Sequence, residues 1–320
     1  MKDRDQAAGW VVAAVCIAAI GAFGAEGNAR WPWLAFNWVA SAPFLLLLVP
    51  DVQAWARRRV AAAPSLEIHV PMAFALFGMA AALVVGSHNW LNFLLWPLTV
   101  GLGTLALVRG KPGEPTAGRL LLSGLALWVL GGLWEGALQI RVPGGTHLGL
   151  AYLVALDLAL FFYTVARPVR TFDVGLGLGG RDWGLALGGV VTLAAVAIPL
   201  GFALAFLRYE PRWLGLGYAV VRLFGLILFV GLPEEMLFRG VLQESFTRFW
   251  GRGGGLLAGA LVFGLSHLPK GAPPLNWKYA LLATLAGLVY GWVYQRTGKL
   301  AAAAVTHGVV DWIWSTFLVS

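Results

Sequence analysis

The chain has 320 residues, 59% of them hydrophobic and only 12% charged, with a mean hydropathy of +0.76. An ordinary soluble domain carries about twice that share of charge, so a water-facing surface cannot be coated, and 13% aromatic content is equally foreign to a disordered chain. The formal net charge of +8 does not point to nucleic acid, because the Lys and Arg residues lie mostly in short segments between apolar runs, not on one basic face. The composition predicts an all-α fold, a polytopic helical membrane protein.

Crossing a hydrocarbon layer of about 30 Å takes roughly 20 helical residues. Apolar windows of that size fall at 8–25, 32–50, 70–86, 90–108, 120–139, 148–166, 183–206, 213–232, 254–268, 278–295 and 300–319. That makes about eleven transmembrane helices, within a range of 9–11. The first window follows Lys2 and Arg4 and is longer than a cleaved signal's apolar stretch, so it reads as a retained anchor. Cys16, the single cysteine, falls inside it and reads as a small packing residue. Gly175–Gly180 formally matches G-x-G-x-x-G but follows no strand, so it reads as a flexible loop before the helix of Trp183. The eighth window continues without a loop towards Trp250, with a break expected near Pro233. With the N-terminus in the cytoplasm, fifteen Lys and Arg fall in inner segments and six in outer ones, which places the C-terminus outside.

Polar intrusions are sparse in the first 180 residues: Asn92, Glu135, Gln139 and Asp157 share no spacing and read as isolated interhelical hydrogen-bonding groups. The last third differs. Glu234, Glu235, Arg239, His267, His307 and Asp311 all fall within apolar runs, where each charged group costs on the order of 2.5–3.5 kcal/mol unless it meets a partner. Counted inward from the helix ends, Glu235 and His267 lie about 20 Å deep, Asp311 about 16 Å and His307 about 10 Å, compatible with one polar cavity. Glu235 and Arg239 are four apart with the acid first, the favourable order for an ion pair on one helix face. Adjacent Glu234 projects about 100° away and is left to serve the cavity. Phe263 and His267 share a face, with the ring walling the imidazole; His307 and Asp311 share another, where the carboxylate can fix the imidazole's tautomer.

These residues resemble the three motifs of the CAAX-processing and bacteriocin-processing (CPBP) family of intramembrane glutamic proteases, which includes CAAX prenyl endopeptidases. The match is Pro-Glu234-Glu235-Met-Leu-Phe-Arg239-Gly, then Phe263-Gly-Leu-Ser-His267, then His307-Gly-Val-Val-Asp311, with Ala286–Leu300 similar to the connection between the last two. The resemblance covers about residues 215–317. It implies a hydrolase cleaving a peptide bond near the C-terminus or membrane segment of a protein or peptide substrate, lipidated substrates included, in a bacterial inner membrane. It also implies roles: Glu234 as general base, His267 as positioner of the water, His307 and residue 311 as oxyanion stabilisers. The family often has Asn where this chain has Asp311, and an ionised carboxylate cannot donate to an oxyanion. Asp311 is therefore expected either to be protonated or only to orient His307.

On this reading residues 1–182 form an N-terminal region of about six helices of unassigned role, and 183–320 form the protease domain with its motifs within 233–311. No cofactor is expected, and the partners are the substrate and the bilayer, not nucleic acid. One alternative is a zinc peptidase using His267, His307 and a carboxylate, although no His-Glu-x-x-His occurs. The other is a non-proteolytic transporter or scaffold using the same polar cluster, its path extended by Asp157 and Arg222.

Overall fold

The apolar runs fold as helices because a backbone removed from water must satisfy its own N–H and C=O groups, and a helix does so within one segment. In a computed structural model the chain is described over residues 2–25, 41–85, 90–109, 114–132, 139–141, 147–270 and 275–320. The expected helical architecture is found. Helices α1 (Lys2–Ala25), α2 (Pro50–Ala62), α3 (Leu66–Val85), α4 (Trp90–Val108), α5 (Ala117–Gly132) and α6 (Leu150–Leu160) are followed by α7 (Gly180–Ala203). The continuous run α8 (Leu216–Leu265), α9 (Trp277–Thr297) and α10 (Leu300–Phe317) complete the order. Among the described residues, strand is limited to two short antiparallel pairs: β1 (Gln139–Arg141) with β2 (His147–Gly149), and β3 (Arg208–Tyr209) with β4 (Leu318–Val319).

By length and hydropathy, α7 and α8 each suffice to cross a bilayer among the described residues, and α2 with α3 forms a third candidate bent by 115°. Much of the second expected span lies outside the described residues, as do Glu135 and the side chains of Cys16, Asn92 and Gln139. The backbone divides into two compact units, Met1–Phe172 and Asp173–Ser320.

In the first unit, α5 packs on α4 and α6, and α6 ends in a π-helical turn, Phe161–Ala166. Arg167 pairs with Glu67 in its interior. In the second unit α10 packs against α7, α9 and the first half of α8. The glycine-rich loop before α7 is held in place, not loose. Lys299 Nζ meets Gly177 O at 2.8 Å and Asp182 Oδ2 at 3.1 Å, and the N–H groups of Leu300 and Ala301 donate to Asp173 O and Val174 O.

The expected break at Pro233 is absent. The backbone stays right-handed helical at Gly231, Leu232, Glu235 and Met236, and π-helical turns at Ile227–Gly231 and Met236–Gln243 flank the proline. Proline removes an i→i−4 bond, and neighbouring π turns, which lengthen the ring of each bond by one residue, let the helix continue past the defect. The run bends instead at Gly251, whose φ of 72° is a conformation that costs glycine little.

Candidate active site

Two glycines bring the motif helices together. A Cβ on Gly231 would lie 2.7 Å from Ala304 O, and one on Gly308 would lie 2.7 Å from the Ile227 backbone. Only bare backbones can approach this closely, as at small-residue interfaces in membranes. The contact sets Glu234 and Glu235 of α8 opposite His307 of α10.

Glu235 is wholly buried and faces two ways. Its Oε2 lies 2.9 Å from Arg239 Nε, the ion pair read from the i,i+4 spacing. Its Oε1 lies 2.9 Å from Nδ1 of His307, seventy-two residues away. The guanidinium of Arg239 is also wholly buried and sits 4.7 Å from the ring centre of Phe263 and 5.7 Å from that of Tyr290. Among the described residues none of its nitrogens is aligned for a hydrogen bond, and the charge is met by Glu235 and by aromatic faces.

His307 lies flat against Tyr290, with ring centres 4.6 Å apart and planes 18° from parallel. Its other nitrogen, Nε2, is 3.4 Å from Asp311 Oδ2 and 3.9 Å from Glu234 Oε2. A carboxylate only accepts, so Nδ1 is a donor to Glu235, while Nε2 faces the carboxylates of Asp311 and Glu234. Asp311 and His307 thus lie on one helix face within ion-pair distance, as the i,i+4 spacing predicts. Its side chain is 34% exposed, against 18% for Glu234. Glu234 Oε2 is itself buried and has no hydrogen-bond partner among the described residues.

His267 joins the group through aromatic contacts. Its ring centre is 4.7 Å from that of Phe263, as the shared face predicts, and Phe263 in turn stands edge-on to His307 at 5.7 Å. Nδ1 of His267 is 2.8 Å from Phe263 O and 3.2 Å from Ser266 Oγ. Nδ1–H therefore donates to the carbonyl, leaving the Nε2 lone pair open to a proton. Lys270 Nζ is 3.5 Å from that atom.

The structure thus gathers Glu234, Glu235, Arg239, Phe263, His307 and Asp311 in direct contact, with His267 at the edge. It adds residues that spacing did not reveal. Tyr290 floors His307, and Tyr279 packs edge-on against His267 at 4.9 Å. The signal for Tyr290 was its place within Ala286–Leu300, but stacking across helices leaves no periodic trace. Arg222 donates to Ser315 Oγ at 3.2 Å and Tyr218 Oη at 3.0 Å, while Asp157 is buried with both carboxyl oxygens unpartnered among the described residues. Among the described residues, no three His, Cys, Asp or Glu side chains are arranged to hold a metal ion.

Comparison with known proteins follows the same region. Residues 215–313 match the family model described as type II CAAX prenyl endopeptidase Rce1-like, so the resemblance read from the motifs is found. A curated relative from Bacillus subtilis (strain 168), named as the uncharacterized protein YpbD, is 24% identical over 179 residues, covering 53% of this chain and 85% of its own. No solved structure matches.

Proposed function

We propose that the chain is a CAAX-type intramembrane endopeptidase in which Glu234 activates the attacking water. The observation that carries this reading is the carboxylate of Glu234, largely buried, with Oε2 free of hydrogen bonds among the described residues and 3.9 Å from Nε2 of His307. Glu235 is committed to Arg239 and His307, which leaves Glu234 as the member of the pair free for proton transfer.

In the proposed sequence Glu234 takes a proton from water as the oxygen attacks the scissile carbonyl. His267, with Nε2 as its acceptor, orients that water. The Nε2–H of His307 turns from Asp311 to the developing oxyanion, and such a donor is worth roughly 2.7–4 kcal/mol. Glu234 then returns its proton to the amine as the C–N bond breaks, which balances the hydrolysis. Glu235, stacked Tyr290 and Asp311 hold the imidazole so that little reorganisation is needed. The site works without a cofactor on this scheme. Its substrates are membrane-embedded or lipidated tails, and the chain sits in a bacterial inner membrane with its N-terminus inside. Residues 183–320 carry the chemistry, and the preceding helices form a separate membrane region.

The test compares N- and C-terminal peptides in membranes expressing the wild-type chain or Glu234→Gln. Termini present only with the wild type are expected; identical profiles, with both proteins folded, overturn the reading.

A further inference from the structure

A second surface, in the unit Met1–Phe172, has no part in the chemistry above. Helix α2 lies 115° from the helix that follows, only 25° from a right angle. If α3, which exposes Ile68 and Leu76, runs across the bilayer, α2 lies close to the bilayer plane. Its composition suits that position, with Trp55 and Arg57, Arg58 and Arg59 within thirteen residues.

The helix is held from beneath. Val60 is buried, and Arg57 Nε donates to Thr164 O in the π turn that ends α6. A π turn displaces carbonyls from their usual partners, and here one is taken up by an arginine from α2. The opposite face is open. Positions 55, 58, 59 and 62 follow helical spacing on one stripe, and Trp55, Arg58, Arg59 and Ala62 are all exposed. Arg59 lies 5.5 Å from the centre of the Trp55 ring, which steadies the guanidinium without using its N–H donors. Arg58 and Arg59 make no ion pair among the described residues. The acids nearest in sequence are engaged elsewhere: Asp51 by Gln6, and Glu67 by Arg167.

We infer that the Trp55–Arg58–Arg59 stripe is a binding site for the phosphate of an anionic phospholipid. Two guanidinium forks offer planar, paired donors that match phosphate oxygens, and an indole beside them occupies the headgroup level where tryptophan is enriched. Juxtamembrane arginines are drawn to anionic lipid in the same way. A zwitterionic headgroup carries a compensating ammonium and is the poorer match.

The test is native mass spectrometry of the full-length protein released from micelles containing equal phosphatidylglycerol and phosphatidylcholine. The wild type is expected to retain phosphatidylglycerol in several-fold excess, and Arg58→Gln/Arg59→Gln to lose that excess while circular dichroism stays unchanged. Equal retention of phosphatidylglycerol by the two proteins overturns the inference. So does displacement of the lipid by millimolar inorganic phosphate, which would mark a site for the free anion. The readout is independent of proteolysis, so it stands or falls apart from the catalytic proposal.

Discussion

In Asp173–Ser320 five ionisable groups form a chain, from Arg239 through Glu235 to His307 and on to Asp311 and Glu234, with the Lys299–Asp182 pair standing apart from it. In Met1–Phe172 they are separate: Glu67 with Arg167 in one place, and Asp157 alone among the described residues in another. Both units use π turns, yet to different ends. The turn at Phe161–Ala166 offers a carbonyl to Arg57, whereas those on either side of Leu232–Glu235 carry a proline and two glutamates through an unbroken helix. A linked set of charges can fix an imidazole between acceptors. Isolated ones can only satisfy themselves, and this contrast is what separates a candidate catalytic centre from ordinary membrane packing.

The contrast can be broken most sharply at Glu234. Glu234→Gln should lower cleavage of a lipidated peptide by about 10²–10⁴-fold, the usual worth of a general base, with unfolding unchanged. Next comes Arg239→Ala, which removes the cation from wholly buried Glu235 and leaves it His307 alone, and should cost about 3–5 kcal/mol in denaturant unfolding. Arg167→Ala in the other unit should cost less, because Glu67 retains 12% side-chain exposure and can reach water. A larger loss for Arg167 than for Arg239 would reverse the ranking of the two units.

Tyr290 sharpens the comparison at smaller scale. Aromatic contacts add about 0.5–1.5 kcal/mol, so Tyr290→Leu should reduce kcat several-fold with KM little changed, and Tyr290→Phe should restore most of it. Equal defects in both variants would assign the effect to the hydroxyl instead of the stack. Smallest of all should be Asp157→Asn, which keeps the shape of the side chain: less than a twofold change in cleavage is expected. A loss approaching that of Glu234→Gln would mean that the lone carboxyl belongs to the function.

Much of this was readable from residue order. Apolar runs announced the helices, and i,i+4 spacing announced Glu235 with Arg239, His307 with Asp311, and Phe263 with His267, because such pairs depend only on helical pitch. The expected break at Pro233 failed because a π turn on either side absorbs the missing N–H, an accommodation that local propensity does not encode. The bend falls at Gly251, the first glycine of Gly-Arg-Gly-Gly-Gly, in the gap between the run that ends near Trp250 and the window that starts at 254, so the place was legible although the proline looked the stronger signal.

Alone, then, the string of residues determined the helical character, the motif positions and the pairs within one helix, all consequences of hydropathy and pitch. Tertiary structure decided what the spent glutamate holds besides its helical partner. Pitch alone ties Glu235 to Arg239 and leaves Glu234 over, but only close packing at Gly231 and Gly308 brings His307, seventy-two residues away, to Glu235 Oε1, while Glu234 Oε2 has no hydrogen bond among the described residues.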